Sequence, residues 1–146
     1  MDLSDLYSSR IIEIAGRLQA GNRLEFPDAS ARRASRICGS VVEIDLKLRD
    51  GVVSDYGQEV NACALGQTAA SIVAEHIVGS TPEELRMLRH QVEAMLKKNS
   101  PPPTGKWADI KYLEPVRDFP PRHASVMLVF NAVVEALDKI SESAAH

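Results

Sequence analysis

The sequence predicts an α+β fold, a small antiparallel sheet of about three strands packed against about five helices. Two patterns carry that expectation. Between Val41 and Val60, apolar and polar residues alternate on either side of a tight-turn dipeptide, which marks a β-hairpin. On both sides of that stretch, apolar residues recur every three or four positions, which marks amphipathic helices. The 146 residues suit one domain, 1–146, able to bury roughly 68–70% of its unfolded surface with no staple.

The elements follow in order. Leu3, Leu6, Tyr7, Ile11, Ile14, Ala15 and Leu18 define a first helix, stopped by Gly21. Residues 22–37 read as irregular, with a short strand near Leu24 to Phe26. Val42, Ile44, Leu46 and Leu48 then line one face of a strand. Asp50-Gly51 supplies the type I′ turn, and a less regular strand returns from Val52 to Val60, interrupted by Gly57. A helix is expected from near Cys63 to Gly79. Thr81-Pro82-Glu83-Glu84 carries the cap, the N1 proline and the capping box of the next helix. Pro101-Pro102-Pro103 breaks the chain. A short helix from about Ala108 to Val116 and a last one from about Arg122 to Ile140 follow, with Trp107 and Phe130 expected in the core.

Composition narrows the function. A net charge of -3 argues against a general nucleic-acid binder. The apolar run Ala124 to Val134 is too short to span a membrane and reads as a core helix. The polar opening from Met1 to Arg10 predicts no export signal, so the chain is expected in the cytoplasm with its two cysteines kept as thiols. No glycine-rich phosphate loop or Ser/His/Asp set is recognisable, and the chain is not expected to be an enzyme.

The cysteines are the chemical centre of the reading. With Asp50 and Gly51 as loop residues, Arg49 pairs with Val52, and an unbulged ladder would set Cys38 opposite Cys63. Opposed residues hold Cβ atoms ~4.5–5.5 Å apart, suited to two ligands of one metal ion. A helix start at Cys63 favours a thiolate, and Arg32, Arg33 and Arg36 act in the same direction on Cys38.

Cys38-Gly39-Ser40-Val41-Val42, the Asp50-Gly51 hairpin and Cys63 opening a helix resemble the NifU N-terminal/IscU/SufU group of iron–sulfur cluster assembly scaffolds. Gln67, Glu75 and Phe119-Pro120-Pro121-Arg122 extend the similarity along nearly the whole chain. Against the family pattern, Ser40 stands in place of an Asp. Ser125 stands in place of a third Cys, because Leu128 and Ala132 then match the family's Leu and Ala. Ala124 replaces the preceding His or Lys, with His123 one position upstream.

The resemblance implies a scaffold or carrier that binds iron or a [2Fe–2S] cluster through Cys38 and Cys63, with His123, Ser125 and Ser40 as weaker candidate ligands. Its implied partners are a cysteine desulfurase and iron–sulfur recipient proteins. A [2Fe–2S] cluster takes four protein ligands, and this chain holds two thiols. His123 with an exogenous ligand, a homodimer pooling its cysteines, or a single Fe or Zn ion would each complete a shell. Two other readings stand beside it: a zinc-holding sulfur acceptor like SufU, and a metal-free interaction protein that kept the fold.

Overall fold

The structure, a computed structural model, describes residues 6–18, 21–36 and 39–144. Leu3 and Cys38 lie outside the described residues. Within these, three antiparallel strands run in the order β1 (Ala29–Ala34), β2 (Val41–Arg49) and β3 (Val52–Asn61). Four α-helices accompany them: α1 (Ser9–Gly16), α2 (Ala64–His76), α3 (Pro82–Lys97) and α4 (His123–Ala144). The expected α+β class holds.

β2 forms as its alternation predicts, with Val42, Ile44 and Leu46 fully buried. Asp50 and Gly51 take φ of 55° and 79°, both left-handed, as the two-residue turn requires. The returning strand does not keep the simple register. Arg49 faces Val52 and Leu48 faces Val53, but Lys47 faces Asp55. Ser54 is thus the extra residue of a β-bulge. The reason is parity. In β3 the residues suited to the covered face are Val53 and then Tyr56, Gln58 and Val60, an odd position followed by even ones. One inserted residue sets Tyr56, Gln58 and Val60 opposite Leu46, Ile44 and Val42.

The strand expected at Leu24 to Phe26 is replaced by a crossing segment. Asn22 bridges Gln58 at the free edge of β3, with both backbone bonds at 3.0 Å. The chain then passes over Gly57. A Cβ there would sit 2.6 Å from the Asn22 carbonyl oxygen and 2.8 Å from the Leu24 nitrogen, so only glycine fits beneath it. Beyond the crossing, β1 pairs with β2 from Ala29↔Leu46 to Ala34↔Val41. The Ala-Ser-Ala-Arg-Arg-Ala strand has no β-branched residue to announce it; pairing with β2 makes it a strand.

The crossing is held by Asp45, only 1% exposed on the outer face of the sheet. Arg23 clamps it through two bonds, Nε to Oδ2 at 2.7 Å and Nη2 to Oδ1 at 2.8 Å. The Leu24 N–H donates to it at 2.9 Å, and the Ser30 hydroxyl donates as well. Burial alone would raise the carboxyl pKa. The hydrogen bonds and the Arg23 charge outweigh it and hold the group at about 2.

The opposite face of the sheet carries the core. α4 packs on β1 and β2, and α2 lies against α1 and α4. Trp107 and Phe130 are buried there as expected. Thr81 caps α3 by accepting from the Glu84 N–H at 3.1 Å. The Glu84 carboxylate returns a bond to the Thr81 N–H and accepts from Trp107 Nε1 at 2.8 Å. The short helix expected at Ala108 to Val116 is a longer 3₁₀ segment, Gly105–Asp118, with Pro115 inside it. Among the described residues, no helix is long and apolar enough to cross a membrane.

Two outcomes test this account. A carboxyl with a depressed pKa stabilises fully above its unfolded value and loses that contribution as pH falls, here from 3.8 toward 2. Asp45→Asn should therefore shrink the stability difference between pH 7 and pH 2.5, read by urea denaturation, by roughly 1–2 kcal/mol. An undiminished difference would show that the clamp contributes nothing. Gly57→Ala should cost roughly 1–3 kcal/mol by forcing the crossing chain outward, and an unchanged urea midpoint would contradict that.

Candidate functional site

Cys63 occupies the N-cap of α2 in extended conformation (φ −68°, ψ 172°), and its side chain makes no capping bond. The helix begins where the sequence places it, with the Gln67 N–H bonded to the Cys63 carbonyl at 2.9 Å. The thiol is a free cysteine, half-buried against the core. No acidic residue stands in the first turn of the helix. The turn thus presents backbone N–H groups next to a sulfur that is not used for capping.

Ser40 is brought to this cysteine. Its side chain is buried, and its Oγ accepts from the Cys63 N–H at 3.3 Å. The connection between β1 and β2 closes through the Ser35 N–H to the Ser40 carbonyl and the Gly39 N–H to the Ser35 carbonyl, both at 2.9 Å. Gly39 takes φ +70°, which explains a glycine there. Gln67 adds a second tie by donating Nε2 to the Ala62 carbonyl at 3.0 Å.

The start of α4 closes the other side. Ser125 is buried, and its carbonyl oxygen would lie 3.3 Å from a Cβ placed on Gly66, while the Ala62 Cβ would lie at 2.9 Å. Gly66 therefore lets α4 sit directly on the first turn of α2. His123 is turned elsewhere. Its ring is buried, and Nε2 lies 3.0 Å from the Val116 carbonyl oxygen and 3.2 Å from that of Arg117. With two carbonyls as partners, Nε2 must be the protonated nitrogen.

One expectation needs correction. An unbulged ladder does not exist: beyond Ser54 the register moves by one, and pairing ends at Val41↔Asn61. Continued on that register, the position opposite Cys63 would be residue 39, not Cys38. Two of the arginines that precede Cys38 form ion pairs. Arg32 pairs with Glu43 at 3.6 Å and Arg33 with Glu135 at 3.4 Å, both from β1. The Nε2 of His123 is taken by backbone carbonyls. Among the described residues, no group of three or more His, Cys, Asp or Glu side chains is gathered around a metal-sized space. Gly66, which sets how closely α4 approaches Cys63, was not singled out from the sequence. A glycine one turn into a helix that otherwise carries small residues was its only trace.

Comparison with known proteins fits this geometry. No family model matches the chain. Two curated relatives bear the name iron–sulfur cluster assembly scaffold protein IscU. The one from Thermotoga maritima is 28% identical over 136 residues, 93% of this chain and 95% of its own length. The one from Streptococcus pyogenes serotype M1 is 24% identical over 144 residues, 99% of this chain and 89% of its own. The crystal structure of a nitrogen-fixing NifU-like protein (N-terminal) from Brucella abortus matches with a TM-score of 0.92 and 48% identity, covering 96% of this chain and 97% of that one. A SUF-system scaffold from Fervidobacterium islandicum AW-1 shares the fold, with a TM-score of 0.82 at 19% identity. The 48% identity along nearly the full length of both chains settles the matter of kinship: this chain belongs to the NifU N-terminal/IscU/SufU-like scaffold family. The two curated relatives are named as scaffolds rather than as enzymes.

Ser40→Ala removes the acceptor of the Cys63 N–H and is expected to lower stability by about 0.5–1.5 kcal/mol. Urea denaturation reads the change, and a variant as stable as the parent would show that the bond contributes nothing.

Proposed function

We propose that the chain is an iron–sulfur cluster assembly scaffold or carrier that holds iron or a [2Fe–2S] cluster as cargo through the thiolates of Cys38 and Cys63. The observation that carries the reading is the bond between the Cys63 N–H and the Ser40 hydroxyl. Ser40 follows Cys38 by two residues, and two residues of chain reach at most about 7 Å. The scaffold names of the curated relatives, over more than nine-tenths of this chain, support it. Sulfur arrives from a cysteine desulfurase, and the assembled cargo passes to recipient proteins. The cytoplasm, where thiols stay reduced, is the fitting compartment.

Two thiolates fill half of the four positions of a [2Fe–2S] cluster. The other ligands come from outside the chain, with a second copy as the simplest donor. A half-filled shell also suits a carrier that must give up its cargo.

Anaerobic reconstitution with ferrous iron and sulfide is the test. The expected result is the visible absorption of a cluster, weakened at least about tenfold in Cys38→Ala and in Cys63→Ala, with native mass spectrometry giving the iron, sulfide and chain count. Tight zinc without a cluster would move the assignment to a zinc-holding sulfur acceptor. No bound metal under any condition would end the metallochemical reading.

A further inference from the structure

We propose that His123 is a positioning residue: its ring N–H supplies the hydrogen bond that Pro120 and Pro121 cannot make, and so fixes the start of α4 against the Cys63 turn. In a 3₁₀ or α turn, the Arg117 carbonyl would accept from the N–H of residue 120 or 121, and both are proline. The Val116 carbonyl keeps its 3₁₀ partner, the Phe119 N–H at 2.9 Å, but residue 120 has no N–H to offer it. His123 Nε2 lies 3.0 Å and 3.2 Å from these two carbonyl oxygens. The ring is buried, so leaving the acceptors without it would carry a desolvation penalty.

The consequence reaches the site. The His123 backbone N–H bonds to the Pro120 carbonyl, so ring and backbone together tie the first residue of α4 to the turn before it. Two residues on, the Ser125 carbonyl rests on Gly66, in the turn that Cys63 opens. A Cβ on Gly66 would sit 3.3 Å from that carbonyl oxygen, a tight contact. A shift of the α4 start would therefore be passed to the turn carrying Cys63.

A metal-ligating histidine can also donate its second N–H to a carbonyl, and glutamine separates the two roles. Its Nε2 stands as many bonds from Cβ as that of histidine, so His123→Gln keeps the donor but offers no ring nitrogen to a metal. His123→Asn carries its N–H too near the backbone to reach the carbonyls.

The inference rests on the metal-binding reading for one readout and is independent of it for the other. For thermal unfolding, His123→Ala and His123→Asn should lower Tm by roughly 3–10 °C, whereas His123→Gln should stay within about 2 °C of the parent. For cobalt(II) titration under anaerobic conditions, His123→Gln should keep the parent's charge-transfer and d–d bands and bind within about threefold of it. A glutamine variant that melts as low as the alanine variant overturns the proposal. So does one that keeps its Tm but loses cobalt about tenfold or shifts the d–d bands, since the ring would then be a ligand. Should the parent bind no cobalt, the metal reading fails and the Tm order alone decides the role of His123.

Discussion

The fold depends on a parity constraint in the β2–β3 hairpin. A two-residue turn locks the first pairs, and side chains then alternate between faces with a period of two. β3 would present the wrong set to the core unless one residue were taken out of the ladder. Ser54 is that residue. Its bulge puts Tyr56, Gln58 and Val60 on the covered face. It also leaves Gly57 opposite Asp45 on the outer face, where the crossing chain needs both. The ladder then ends with Val41 facing Asn61, which leaves Ser40 and Cys63 just beyond it and in contact.

Three restraints converge on Cys63, each from a different part of the chain. Ser40 holds its N–H from the β1–β2 connection, Gln67 holds the preceding carbonyl from within α2, and α4 bears on Gly66. None of these engages the sulfur. The thiol is thus placed by its backbone, while Arg32 and Arg33 on β1 answer carboxylates on β2 and α4. A site built in this way fixes the position of Cys63 through its backbone.

Legibility in the sequence followed locality. The α3 cap was plain because Thr81, Pro82 and Glu84 interact within one turn. The start of α2 at Cys63 was plain for a similar reason, since small and apolar residues take up a helical period there. β1 was hidden because its six residues lack strand propensity, and its conformation comes from pairing with β2. The crossing segment was hidden because Arg23 and its partner Asp45 are twenty-two residues apart. The bulge did leave a trace in the parity change between Val53 and Tyr56, but a register counted from the turn alone passes over it. At the site, the cysteine at the helix start and the serine in the Asp position could be read directly. The roles of Ser40 as a backbone acceptor and of His123 as a donor to carbonyls could not, because both depend on which groups the tertiary fold brings near.

The pinning of β3 has a consequence for the molecule in solution. A three-stranded sheet has two open sides, and an unpaired strand side is a template for another chain. One side is β1, whose face α4 packs. On the other, Val53 exchanges bonds with Gly79 and Ser80, and Gln58 does the same with Asn22, so its outward backbone groups are engaged at two separate points. A foreign strand could not lie along β3 without displacing both. The loop after α2 and the crossing chain therefore act as guards of that edge against strand addition and the aggregation it seeds.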